Sequence, residues 1–179
     1  MTVEWEPAVR NAGRLAALER STLAGIAGGD AFDRLLELAL AVTGAPRGVI
    51  TIVDAERTVA ISGFGFPEGL ELAAPIAHSF CRFVVASGHP FIVEEATVDP
   101  RTVGDPAIEA FGAVAWIGYA IEDGAGFVLG TFCLMDSAPR TWSALDIQTV
   151  ATLARAASSE VALRCARAEI ALLRRDAGL

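Results

Sequence analysis

Near the start of the chain, helix-compatible residues recur three and four positions apart. Leu15, Leu18, Thr22 and Ile26 share one side of an Ala- and Leu-rich stretch, which predicts a leading helix from Pro7 to about Ala27, stopped by Gly28 and Gly29. A second helix is predicted over Ala31–Thr43, with Asp30 as N-cap, Gly44 as C-cap, and Phe32, Leu35, Leu36, Ala39 and Leu40 along one side. The pattern then changes to short apolar runs with polar breaks. "GVITIVD" and "TVAISGFGF", separated by the turn "DAER", predict a first β-hairpin.

Ile76–Ser87 reads as a helix ended by Gly88 and Pro90, and "PFIVEEA" as a short strand. The stretch "TVDPRTVGDPAIEAFG" is rich in turn signals and carries one short helix after Pro106. "AVAWIGYAIED" and "GFVLGTFCLMD" form a second hairpin, whose continuous apolar character suits central strands covered on both faces. Ser143 caps a final helix running from Ala144 to about Arg175. Strands joined by tight turns imply an antiparallel sheet. The expected fold is therefore an α+β sandwich, with terminal helices on one face and the helix- and loop-rich middle segment over a cavity on the other.

Composition narrows the picture without changing it. At 179 residues the chain suits one domain with helical extensions. Hydrophobic residues make up 53%, yet the most apolar part, Ala110 to Met135, is broken at Glu122–Gly126, leaving neither half near the ~20 residues of a membrane helix. The acidic start "MTVEWEPAVRN" lacks the basic, then apolar, order of a secretory signal, so a cytoplasmic protein is expected. All 14 basic residues are arginine, which points to a GC-rich bacterial genome. A net charge of −8 opposes general nucleic-acid binding, although the segment from Ser143 onward is close to neutral. Cys81, Cys133 and Cys165 are odd in number and without CxxC spacing, which favours free thiols.

Four stretches, "FDRLLELALAVTGAPRGVITIVD", "SFCRFVVASGHPFIVEEATVDPR", "IGYAIEDGAGFVLGTFCLMD" and "RTWSALDIQTVATLARAASSEV", taken in this order and spacing, resemble the GAF family of sensory modules from bacterial signalling proteins, over roughly Ala31 to Arg164. The resemblance implies an antiparallel sheet of about six strands, a ligand cavity opposite the terminal helices, and dimerisation through those helices. It divides the chain into an N-terminal helical extension (1–29), the GAF domain (30–164) and the end of the long C-terminal helix (165–179).

His78, Cys81 and His89 follow H-x2-C-x7-H, but His89 lies beyond the helix stop and a fourth ligand is missing, so no metal site is expected. A single histidine without a partner is a weak signal for haem. Cys81, early in its helix and followed by Arg82, is the best placed of the three thiols for nucleophilic chemistry. The cysteine-bearing segments of GAF-type free-methionine-sulfoxide reductases are nevertheless not found. The Cys-His pair of bilin-binding members is replaced by Cys81-Arg82, and the Asn-Lys-Phe-Asp-Glu signature of cyclic-nucleotide binders is missing.

No catalytic residue or cofactor is assigned. The expected function is a non-catalytic sensor that binds a small ligand of unknown identity, with thiol redox chemistry at Cys81 or a purely structural dimerisation role as alternatives. Candidate ligand-binding residues are Phe64, Phe66, Phe80, Cys81, Trp116, Tyr119, Thr131 and Cys133, apolar walls with a few polar handles, and Asp99 and Arg101 at the rim. The aromatics serve equally as core, and the Asp-Pro-Arg turn equally as structure. On the last helix, Ile147, Val150, Ala154, Ala157 and Val161 are expected on the sheet, with Leu153, Leu163 and Ile170 toward a second face that pairs with the leading helix in a homodimer. No kinase, cyclase or DNA-binding segment is recognised in the sequence, so the output is expected from a signalling protein partner or from sequence beyond these residues.

Overall fold

The computed structural model describes residues 4–21, 23 and 29–176. The leading segment is not one helix. It forms α1 (Glu6–Val9) and α2 (Ala12–Arg20), broken at Asn11, whose side chain accepts a hydrogen bond from the Arg14 amide (3.0 Å) and so starts a new helix. Thr22 and Ile26 of the expected helix lie outside the described residues. The third helix, α3 (Asp30–Thr43), begins one residue earlier than expected, with Gly29 in the N-cap position, and ends at Gly44 in the left-handed region.

The sheet comprises β1 (Arg47–Val53), β2 (Arg57–Phe64), β3 (Ala73–Pro75), β4 (Phe91–Val93), β5 (Ala115–Glu122) and β6 (Val128–Asp136). All neighbours are antiparallel, in the order β3-β2-β1-β6-β5-β4. The two predicted hairpins therefore meet at its centre, β1 beside β6. Asp123 shapes the β5–β6 turn by accepting from the amides of Ala125 and Phe127, both at 2.9 Å. A single 3-10 turn (Ile76–His78) leads into α4 (Cys81–Ser87), so the expected helix from Ile76 is shorter than its apolar run. The middle segment also carries α5 (Pro106–Phe111).

Strand alternation divides the interior in two. On one face Phe32, Leu36, Ile50, Ile117, Phe132, Leu134, Val150, Ala154 and Val161 join the sheet to α2, α3 and the 33-residue helix α6 (Ala144–Asp176). On the other, Val9, Val49, Phe80, Cys81, Trp116 and Cys133 join it to α1, α4 and α5. Ser143 and Asp146 exchange side-chain to amide hydrogen bonds (3.0 and 3.1 Å) as a reciprocal cap at the start of α6, and the Trp142 indole N–H donates to the Val93 carbonyl (3.2 Å), fixing that start to β4.

Two expectations change here. Leu153 belongs to the sheet-facing core of α6, not to its second face. The N-terminal segment does not stay with the C-terminal helix: α2 packs on the α6 side, but α1 lies against α4 on the opposite side. Buried Arg14 makes the crossing possible. Its guanidinium donates to the carbonyls of Val9 at the end of α1, of Val53 (2.7 Å) and Asp54 (3.3 Å) at the end of β1, and of Val128 (3.4 Å) at the start of β6.

Candidate functional site

The site begins with the register of the two central strands. Val49 stands opposite Cys133 and Thr51 opposite Thr131, so these four share one face, while Ile50 and Phe132 between them point to the other. The Thr51 and Thr131 hydroxyls are 2.9 Å apart. Above them the first turn of α4 lowers Cys81, whose sulfur lies 3.1 Å from the Thr131 hydroxyl and 3.5 Å from that of Thr51. Thr58 approaches the same sulfur at 4.0 Å, and Ser79 accepts from the Cys81 amide (3.3 Å). Cys133 donates its thiol to the Val49 carbonyl (3.4 Å). A closed set of hydroxyls and thiols thus sits inside an otherwise apolar core, each member with a partner.

These partners shift both thiols. Hydrogen bonding from Cys133, joined by Ser79, Thr131 and Thr51, outweighs the burial that opposes a charged sulfur and holds the Cys81 thiol down to about 6. Burial, reinforced by Cys81 itself, pushes Cys133 well above the ordinary range. The cation next in sequence has no part in this. Arg82 turns away, donating to the Ser79 carbonyl (2.7 Å) and pairing with Asp105, with its guanidinium over the Phe83 ring at 4.4 Å.

The covering segment is held at both ends of α5. Asp105 caps its first turn, accepting from the Ala107 amide at 2.9 Å, and its second carboxylate oxygen meets Arg82. At the far end Arg47 donates to the carbonyls of Phe111 (2.6 Å) and Gly112 (2.8 Å) and lies 5.7 Å from the Phe66 ring centroid. One flank is aromatic: Phe80 meets Trp116 edge-on (centroids 6.0 Å apart), and Phe83 and Phe91 continue the cluster. Gly118 lets the indole lie there, since a Cβ at this position would fall 2.2 Å from the Trp116 ring. Between sheet and cover remains a cavity of ≈ 20 Å³, room for about one water.

Of the residues singled out from the sequence, Phe66, Phe80, Cys81, Trp116 and Cys133 line this cavity, and Thr131 hydrogen-bonds within its wall. Phe64 and Tyr119 do not; both pack on the α3 and α6 side. Tyr119 shares the parity of Ile117 and Ile121. Phe64 is displaced by a β-bulge: Thr51 pairs with Ala60 and Ile50 with Ser62, so Ile61 is extra and every later side chain of β2 changes face. The chain returns to the cavity at Phe66 through Gly65 (φ 83°), where a Cβ would lie 2.1 Å from the Pro46 carbonyl oxygen.

Asp99 and Arg101 stay outside, paired with each other at 2.6 Å, with Arg101 donating to the Ile92 carbonyl (2.8 Å) across the Phe91 ring. They brace a turn. Thr51, Thr58, Ser79, Phe111 and Met135 line the cavity without having been foreseen. Thr51 was within reach of sequence reasoning, as the one hydroxyl in the run "GVITIV". His78 and His89 are both exposed, and among the described residues no group of three or more His, Cys, Asp and Glu stands close enough to hold a metal.

The folded Cys81 thiol ionises near about 6 and the unfolded one near 9.0, so the unfolded chain holds the extra proton between these values. Stability relative to Cys81→Ser is expected to rise with pH across that window, by at most ~1.4 kcal/mol per pH unit, and to lose the gain as pH falls through about 6. Thiolate ultraviolet absorbance should titrate near about 6 in the wild type and lose that step in Cys81→Ser. A first thiolate appearing only near 9.0 would refute the assignment.

An antiparallel sheet with a helical layer on one side and a covered pocket on the other defines a small α+β pocket domain. The family model for the GAF domain matches residues 29–161, and the chain belongs to the GAF domain family. It is 27% identical over 113 residues to a cyclic di-GMP phosphodiesterase of Pseudomonas aeruginosa, a match covering 62% of this chain and only 19% of that protein. Its fold is similar to the GAF domain of PixJ from Thermosynechococcus elongatus in its blue-light absorbing form (TM-score 0.64, 13% identity, 93% of this chain and 98% of that one). It is also similar to free methionine-R-sulfoxide reductase of Neisseria meningitidis (TM-score 0.57, 16% identity, 83% and 86%). Among the described residues no helix is long and apolar enough to cross a membrane.

Proposed function

We propose that this GAF domain is a non-catalytic cytoplasmic sensor, which takes a small uncharged ligand beneath α5 and relays its presence across the sheet to α6. The observation that carries the reading is the two-sidedness of the central strands. Cys133 and Met135 border the cavity, while Phe132 and Leu134, their neighbours on β6, pack under the helical layer. Close-packed interiors transmit displacement, so a ligand that lifts α4 or tilts β6 must be accommodated by α3 and α6.

Ligand chemistry follows from the lining. Phe66, Phe80, Trp116 and Met135 offer apolar surface, Thr51, Ser79, Thr131 and the Cys133 thiol offer hydrogen bonds, and among the described residues the ionisable Cys81 sulfur is the lining's source of charge. The closed cavity is smaller than any metabolite, so binding requires the cover of α5, Phe66 and Phe111 to move outward. The phosphodiesterase named among the relatives supports a place in signalling, with a second protein or domain as the output.

The output surface proposed is α6 against a second copy of the chain. Beyond Val161 this helix exposes Leu163, Ile170 and Leu173, and an isolated helix end of this kind is marginal in water without a partner. Sedimentation of the wild type should give a dimer and Leu163→Glu a monomer. A monomeric wild type, or a dimeric variant, would remove the interface. For the pocket, thermal unfolding across a panel of uncharged metabolites should reveal at least one that raises Tm with concentration, as binding to the folded state alone requires. No shift across the panel would favour a structural module.

A further inference from the structure

Two of the three cysteines face each other across the cavity, and packing alone gives no reason for the hydroxyl groups that surround them. The Cys81 sulfur is 3.1 Å from the Thr131 hydroxyl, which also approaches the Cys133 sulfur at 3.9 Å, so one hydroxyl bridges the two thiols. The sulfurs belong to different layers, one on the first turn of α4 and one in the middle of β6, and these elements pack directly together. An ordinary buried cysteine is a small hydrophobe among apolar neighbours. Here Thr51, Thr58 and Thr131 converge on one sulfur, and Ser79 holds the amide of the same residue.

We propose that Cys81 and Cys133 are a dithiol switch, oxidised by a small peroxide admitted to the cavity and closed into a disulfide that ties α4 to β6. The Cys81 thiolate attacks one peroxide oxygen; the O–O bond breaks, the departing hydroxide takes up a proton as water, and Cys81 becomes a sulfenic acid. The Cys133 sulfur then gives up its proton and attacks the Cys81 sulfur. The S–O bond breaks, a second water leaves, and the S–S bond forms. Overall two thiols and one hydrogen peroxide give one disulfide and two waters, the peroxide accepting two electrons from the sulfurs. A dithiol reductant reverses the step by thiol–disulfide exchange and is itself oxidised.

The geometry also selects the oxidant. A cavity with room for about one water admits hydrogen peroxide with little movement of the cover and refuses bulky peroxides. The hydroxyls of Thr131 and Thr51 are placed to hold the attacking thiolate. Cys133, kept protonated, stays in reserve until Cys81 has been oxidised. Cys165, half-buried on α6, has no described thiol neighbour and serves as an internal reference. This inference stands on the two sulfurs and does not require the cavity to take a metabolite.

The test is intact-mass and peptide mapping of the whole chain after stoichiometric hydrogen peroxide under native, non-reducing conditions. The wild type and Cys165→Ser should each lose the mass of two hydrogens, gain a crosslink between the peptides of Cys81 and Cys133, and recover both thiols with a dithiol reductant. Cys133→Ser should stop at one added oxygen on Cys81, trapped by a sulfenic-acid reagent, and Cys81→Ser should leave Cys133 unmodified. Persistence of both thiols in the wild type, or a crosslink through Cys165, would overturn the proposal. Neither result depends on a variant folding, and neither bears on metabolite binding as read by thermal shift.

Discussion

Replacing Asp105 by alanine is expected to destabilise the protein by about 3–5 kcal/mol, the usual cost of stranding a buried charge by removing its partner. The Arg82 and Asp105 side chains are only 7% and 9% exposed, and nothing in sequence separation suggests the pair, since they lie on α4 and at the start of α5. In Asp105→Ala the guanidinium keeps its bond to the Ser79 carbonyl but loses its counter-charge, and α5 loses its cap at the Ala107 amide. Asp105→Asn separates these contributions, because the amide oxygen still caps the helix but carries no charge. It should recover about 1 kcal/mol, the worth of a cap, and no more. Denaturant unfolding measures all three proteins. If Asp105→Ala unfolds within ~0.5 kcal/mol of the wild type, as an unconstrained surface position would, α5 is not held in the way described.

Arg14 carries the second large effect. Its guanidinium is the shared donor for carbonyls at the end of α1 and at the ends of the two central strands, so Arg14→Met keeps the stem and removes every side-chain hydrogen bond. Two fully buried acceptors, the Val9 and Val53 carbonyls, lose their described side-chain donors at roughly 1–3 kcal/mol each, giving an expected loss of about 3 kcal/mol. The loss should have a direction. With its anchor gone, α1 is expected to detach from α4, so limited proteolysis should cut near Arg10 in the variant well before the wild type. Equal proteolysis of the two proteins would mean that α1 is held by Val9 packing alone.

The elements that were legible in the sequence are those whose burial follows one period. Phe32 to Leu40 announce α3, the two hairpins follow from apolar runs flanked by turn residues, and Val150, Ala154, Ala157 and Val161 mark the buried side of α6. What escaped was decided by single interactions. Asn11 has no apolar signature that would divide the leading helix, and its capping bond to the Arg14 amide does so. Strand β3, three residues long, is ordered by pairing with Arg57–Val59 and has no pattern of its own.

The site was partly legible for the same reason. Trp116, Thr131 and Cys133 follow from simple alternation along β5 and β6, whereas Phe64 was misplaced because the bulge at Ile61 changes the parity of everything after it. Asp99 and Arg101 have the charges of ligand contacts, but their geometry satisfies them within the turn. The polarised thiol pair needed tertiary structure to be seen, since Cys81 and Cys133 are brought together only by α4 lying on β6.

The claim at the centre of this account is that the space beneath α5 is a ligand pocket coupled to the helical layer. Native mass spectrometry of the freshly purified chain tests it most directly, with Ala113→Val as a control that fills the cavity from its buried wall. The account predicts a retained small molecule on the wild type that is lost from the folded control. A wild type that carries no added mass, or a control that keeps the same mass, would contradict it.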